Sequence, residues 1–253
     1  MATNNLSDIE GFVLREIKYK ESSKILEIFT KEMGRISVIA NSVESKKRQN
    51  LSSTLRFTKS SYNLNKSAKI YYLKDAYLLE GYSKSNRNYE IILYKSAICD
   101  LLLRTIDEID KDTVYNLLDS TFRSFEDAKE NYSYIFLSFM IKYISFIGFK
   151  PNLDYCSNDN KLIKKEDKIS FSIQSGGVLC SNCISLFPDS INLTKKDLLD
   201  LKRLLYTPTK DISKLYSDID KNKLYYIIIE FILDKLEIKK FSSLKWLDEI
   251  FKS

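Results

Sequence analysis

The chain reads as an α+β multidomain protein in which a small five-stranded barrel precedes a bundle of helices, and three observations carry that reading. From Glu10 to about Tyr82 the sequence alternates with a period of two and is rich in β-branched and aromatic residues, as strands require. Beyond Asn86 apolar residues recur at three- and four-residue spacing, the period of a helix with one buried face. Between residues 149 and 190 that spacing gives way to a turn-rich insert holding three of the four cysteines.

Five strands can be drawn in the first part: Gly11 to Tyr19, Ser23 to Thr30, Arg35 to Asn41, Arg56 to Leu64, and Lys69 to Tyr82 as one long or bulged strand. Lys31-Glu32-Met33-Gly34 joins the second to the third, with Gly34 suited to the positive φ of a hairpin. Five short strands with mostly short connections suit a closed barrel of the OB or SH3-like kind, and the strand number favours the OB-fold. The expected domains are a nucleic-acid-binding barrel over residues 1–83 and a helical domain over 84–253, interrupted by a zinc-ribbon-like insert at 149–190.

The helical part begins with Tyr89 to Ile106, Thr113 to Ala128, and Tyr132 to Ile147. Ser133 to Gly148 is apolar nearly all round, which predicts the central helix of a bundle, stopped by Gly148 and Pro151. Helices resume at Thr194 to Tyr206, where Thr194 and Asp197 have the spacing of an N-cap and its acidic partner. Lys221 to Leu236 and Ser242 to Phe251 follow.

Composition narrows the function. Histidine is absent, which removes Ser-His-Asp and Cys-His catalysis. The six glycines, at 11, 34, 81, 148, 176 and 177, cannot be arranged as a P-loop or a dinucleotide-binding turn. Carboxylate pairs such as Asp107 and Glu108 read as solvated helix surface before they read as a metal-dependent nuclease. No catalytic residue is therefore assigned. Met1 to Glu10 lacks the pattern of a secretory signal, and no apolar run approaches the ~20 residues that cross a bilayer. Few cysteines, two of them as Cys180-Ser-Asn-Cys183, fit a reducing compartment, so a cytoplasmic protein without membrane contact is expected.

Charge is unevenly placed. Between Arg35 and Lys74 stand nine basic residues, Arg35, Lys46, Lys47, Arg48, Arg56, Lys59, Lys66, Lys69 and Lys74, against the single acid Glu44. That local net of +8 exceeds the +6 of the whole chain, leaving −2 for the remainder. A general enrichment in lysine would spread evenly, so this asymmetry points to a polyanionic partner. Tyr62, Tyr71 and Tyr72 interleave with the cations, and a basic groove with aromatic platforms holds single strands without reading sequence. The alternative is a soluble barrel whose tyrosines fill its core.

Cys156-Ser-Asn-Asp159 and Cys180-Ser-Asn-Cys183 have the spacing of a zinc ribbon, each tight turn presenting two side chains to one tetrahedral ion. Lys168 to Ile173 alternates as a strand between them, and Ser175-Gly176-Gly177 supplies a turn. Asp159 stands where a fourth thiolate would belong. Either zinc is held by Cys156, Asp159, Cys180 and Cys183, or the knuckle survives by packing alone. A redox Cys-x2-Cys lacks its usual strand-then-helix setting here. Cys99, beside Ile98 and Leu102, reads as a small buried hydrophobe.

Several stretches together resemble the RecO family of bacterial recombination mediators. They are Gly11-Phe-Val-Leu-Arg15, Tyr19-Lys-Glu-Ser-Ser-Lys-Ile25, Phe29-Thr30, Gly34 and Val38-Ile-Ala40, then Gly148 to Cys156, Phe171-Ser172, Gly176-Gly177 and the Cys180, Cys183 pair. The resemblance implies a non-enzymatic protein that binds single- and double-stranded DNA, anneals complementary strands and joins RecR. It further implies contact with the acidic C-terminal tail of single-strand binding protein and, indirectly, help in placing RecA on covered DNA. Arg15 joins the nine cations as a candidate DNA contact. The rival reading is a helical interaction scaffold whose barrel is only structural.

Overall fold

The computed structural model describes residues 4–41, 43, 51–67, 70–105, 110–164, 168–215 and 220–252. The chain packs as two compact units, Met1–Asn116 and Leu117–Ser253.

In the first unit, strands β1 (Asn4–Tyr19), β2 (Ser23–Thr30), β3 (Gly34–Ala40), β4 (Lys59–Ser67) and β5 (Ile70–Glu80) close a barrel in the order β1-β2-β3-β5-β4. β1 pairs antiparallel with both β2 and β4, and a short parallel pairing of Val38 and Ile39 with Tyr71 and Tyr72 completes the circuit. That connectivity is the OB-fold arrangement. Alternation puts Ile36, Val38 and Ala40 of β3 inside with Val13, Leu26, Ile28, Tyr62 and Leu64, while Arg35 and Ser37 face out. The β2–β3 hairpin turns on Gly34, whose φ of 70° is open to glycine without strain. Thr30 locks the turn, accepting from the Met33 N–H at 3.1 Å and donating to the Gly34 carbonyl at 2.9 Å.

Two strand starts differ from the sequence expectation by three residues or more, and β4 also runs three residues further, to Ser67. β1 begins seven residues earlier, because polar Asn4 to Asp8, which show no alternation, pair with β4 across a bulge between Leu6 and Ile9. β4 starts at Lys59 rather than Arg56, because Phe57 takes a φ of 71° and leaves the extended conformation. Its N–H instead donates to the Val13 carbonyl at 2.9 Å.

Helix α1 (Tyr89–Thr105) belongs to the first unit. The unit boundary falls within α2 (Lys111–Asp127). In the second unit, α3 (Tyr132–Phe146) is buried from Ser133 through Ile144, the all-round apolar helix the sequence predicts. It packs against α4 (Lys195–Tyr206) and α5 (Lys221–Lys235), and α5 against α6 (Ser242–Lys252), where the Tyr225 and Phe251 rings stack at 4.0 Å. The insert forms a three-stranded sheet ordered β7-β6-β8, with β6 at Ile169–Ser172, β7 at Gly177–Leu179 and β8 at Ile191–Leu193. Phe171 of β6 meets Phe231 of α5 edge to face at 5.6 Å, seating the insert on the bundle. Among the described residues no helix is long and apolar enough to cross a membrane.

Candidate nucleic-acid interface and metal knuckle

On the outer face of the barrel, cross-strand pairing sets Arg15 opposite Glu27 and Glu27 opposite Ser37. Ser37 Oγ donates to Glu27 Oε1 at 2.7 Å, which turns that carboxylate toward β3. Arg35, two residues before Ser37, projects from the same face of β3, and its Nη1 donates to the Leu103 carbonyl at 2.7 Å. These groups line a cleft of about 560 Å³ whose far wall is the C-terminal end of α1, where Leu103 and Arg104 stand. In OB barrels the outer face around strands 2 and 3 is the usual ligand platform.

The remaining expected cations lie elsewhere. Arg56 donates Nε to the Leu14 carbonyl at 2.9 Å, while its Nη2 lies 3.3 Å from Asp100 Oδ1 and its guanidinium caps the Phe57 ring at 4.7 Å. Lys59, with only 11% of its side chain exposed, lies 3.6 Å from Glu10 Oε2 and over the Phe12 and Tyr115 rings. Both side chains hold the unit together. Lys66 lies over the Tyr71 ring at 5.4 Å, and Lys74 is exposed on β5. Lys46, Lys47, Arg48 and Lys69 lie outside the described residues.

One expected platform is corrected. Tyr62 is fully buried, because β4 turns Ser60, Tyr62 and Leu64 inward, and its hydroxyl donates to the Ser53 carbonyl at 3.1 Å. Burial also raises its pKa. Tyr71 and Tyr72 are half-buried. Arg104, conversely, escaped the sequence reading. It stands sixty-nine positions beyond Arg35, and the only local signal was a basic residue in the last turn of a helix.

In the second unit, the two turns of the insert bring Cys156, Asp159, Cys180 and Cys183 together, with their ligand atoms all within 4.8 Å of one another. Cys180 Sγ is 3.8 Å from Asp159 Oδ2. A tetrahedral zinc with bonds of about 2.3 Å to sulfur and 2.0 Å to oxygen asks for a sulfur–oxygen separation of roughly 3.5 Å, so the donors fit the ion. Two N–H groups aim at these sulfurs. The Cys180 N–H donates to Cys156 Sγ at 3.4 Å and Asn158 Nδ2 to Cys183 Sγ at 3.4 Å. Burial raises the Cys156 thiol, but the backbone N–H groups of Asp159, Cys180 and Asn158 outweigh it and bring the thiol below its ordinary pKa. At Cys183 the Asn158 amide pulls the pKa down, yet burial and the adjoining Cys156 and Cys180 thiols prevail and push it up to about 11. Asp159 is held near 2 by the Cys156 thiol first and by Lys161, whose Nζ is 3.1 Å from Oδ2. Its other oxygen accepts from the Lys161 backbone N–H at 3.2 Å, so Oδ2 faces the sulfurs. Cys99 is fully buried with its thiol raised to about 12 by desolvation, as a packing residue should be.

A closed OB barrel with arginines on its outer face, followed in the same chain by a helical unit carrying a cluster of three cysteines and an aspartate, defines the class: an OB-barrel protein with an appended helical unit whose cysteine knuckle could hold a metal ion. The models for Recombination protein O match over nearly the whole length, the N-terminal one at residues 4–82 and the C-terminal one at 86–245. The chain belongs to the RecO family. It is 25% identical to the DNA repair protein RecO of Clostridium acetobutylicum over 224 residues, covering 88% of this chain and 89% of that one. The DNA repair protein RecO of Caldanaerobacter subterraneus is also 25% identical, over 90% of this chain and 92% of its own. That of Alkaliphilus metalliredigens is 26% identical over 93% and 96%.

Proposed function

We propose that this chain is a DNA-binding recombination mediator of DNA repair. It binds single- and double-stranded DNA, anneals complementary strands and, with RecR, helps place RecA on DNA covered by single-strand binding protein. The observation that carries the DNA-binding part is the meeting of Arg15 and Arg35 on the ligand face of the OB barrel. Family membership and the names of the relatives support the repair role.

Guanidinium groups on a barrel face act on DNA by neutralising phosphates and releasing condensed counterions. Annealing needs that screening of two backbones and no bond-making step by the protein. Lys46, Lys47, Arg48 and Lys69, read from the sequence alone, are further candidate DNA contacts in this reading. The test is annealing of complementary strands with and without single-strand binding protein. Acceleration in both settings is expected. If the intact chain neither binds nor anneals DNA while still retaining RecR or single-strand binding protein, the barrel is structural and the chain is a scaffold.

The knuckle is read as a zinc site held by Cys156, Asp159, Cys180 and Cys183, on the strength of the donor spacing and the N–H groups aimed at sulfur. Zinc there would fix the insert's two turns to each other.

A further inference from the structure

We infer that Arg104, at the end of α1 and outside the barrel, completes a discrete seat for one phosphate of single-stranded DNA together with Arg15 and Arg35. The inference rests on the reading of the barrel face as the DNA contact and deepens it. It adds a cation from a helix to two carried by strands.

Three guanidinium groups and one carboxylate, Glu27, line the same cleft, so its own charge balance is +2. Each arginine is oriented from behind. Arg15 Nη2 lies 3.5 Å from Asp100 Oδ1, Arg35 Nη1 donates to the Leu103 carbonyl, and Arg104 Nη1 donates to the Asp100 carbonyl at 3.0 Å. All three anchors sit on α1, at positions 100 and 103, so the end of this helix fixes the arginine heads relative to one another. A guanidinium offers five N–H donors in a rigid fork, so a bond to a protein oxygen and a bond to a phosphate oxygen are compatible. Ile17, 45% exposed, stands beside the cations and supplies apolar surface for the sugar. Ser37 adds a hydroxyl, which donates to Glu27.

Glu27 gives the seat its second diagnostic. A carboxylate among three arginines lowers their mutual repulsion when no anion is present and opposes a phosphate when one arrives. The same cleft therefore predicts opposite effects at two residues. Removing Arg104 weakens DNA, and neutralising Glu27 strengthens it.

The experiment is equilibrium binding of a labelled oligothymidine to the full chain across roughly 50 to 200 mM salt, comparing wild type with Arg104→Gln, Arg104→Lys and Glu27→Gln. One phosphate contact to a single strand contributes about 0.7 to the slope of log affinity against log salt. Arg104→Gln should lower the slope by that amount and weaken binding about five-fold near 0.1 M salt. Arg104→Lys should keep the slope and lose part of the affinity, since an ammonium retains the charge without the fork. Glu27→Gln, which can still accept from Ser37, should bind more tightly than wild type. Wild-type slope and affinity in Arg104→Gln, or unchanged or weaker binding in Glu27→Gln, would overturn the seat while leaving DNA binding by the barrel intact. Binding by wild type that ignores salt would overturn both.

Discussion

The Arg56 guanidinium stands 3.3 Å from the Asp100 carboxylate, joining the approach to β4 with α1, and Arg15 lies 3.5 Å from the same oxygen. An arginine that sequence alone groups with the DNA contacts is thus a tie within the first unit. Arg56→Ala removes the bond to the Leu14 carbonyl and this half-buried ion pair. A loss of roughly 1.5 to 3 kcal/mol is expected in urea unfolding followed on the first unit, the usual scale for hydrogen bonds to a charged group. A change below about 0.5 kcal/mol would place Arg56 with ordinary surface residues.

Gly177 is fixed by close approach. A Cβ built there would lie 2.3 Å from the Asn152 carbonyl oxygen and 2.8 Å from its nitrogen, both backbone atoms of the strand-like segment leading to Cys156. Gly177→Ala should therefore push that segment off β7, lower stability by about 1 to 3 kcal/mol and loosen the knuckle. Thermal unfolding and metal content measured on the same sample check both consequences.

Zinc is expected in the purified chain by elemental analysis. Its removal with a strong chelator should lower the unfolding temperature of the second unit, and returning zinc should restore it. Cys180→Ser should abolish the response. A chain free of metal that is as stable with a chelator as without it would show a knuckle held by packing.

Lys142 on α3 is buried, donating to the Thr207 carbonyl at 2.5 Å, and burial lowers its pKa from 10.5 to about 8. With the folded value below the unfolded one, the unfolded chain holds more protons between about pH 8 and pH 10.5. Stability therefore gains from this group as pH rises through that window, and the burial penalty is fully present below it. Relative to Lys142→Met, wild type should gain in unfolding free energy from pH 8 to pH 10. A gap that stays constant or moves the other way contradicts the assignment.

Much of the fold was legible because its signals are local. Alternation marked the barrel strands, Gly34 marked the hairpin, and the capping box of Thr194 and Asp197 marked the start of α4, where both reciprocal bonds are present. The cysteine spacing likewise found all four members of the knuckle cluster. What escaped depends on distance along the chain. Asn4 to Asp8 are strand only because β4 offers a partner, and Phe57 leaves the strand because Val13 supplies a different bond. Charge counting could not separate Arg35, which faces the cleft, from Arg56 and Lys59, which turn back onto Asp100 and Glu10. Tyr62 and Tyr72 look alike in sequence, yet the strand register buries the first fully and leaves the second half-buried.

The barrel face is tested most directly by the salt dependence of single-stranded DNA binding, measured between roughly 50 and 200 mM for wild type and for the double variant Arg15→Glu, Arg35→Glu. Steeply falling wild-type affinity and a weaker, flatter response in the double variant are the predicted result. Equal affinities with equal slopes, or a wild type indifferent to salt, would contradict the account.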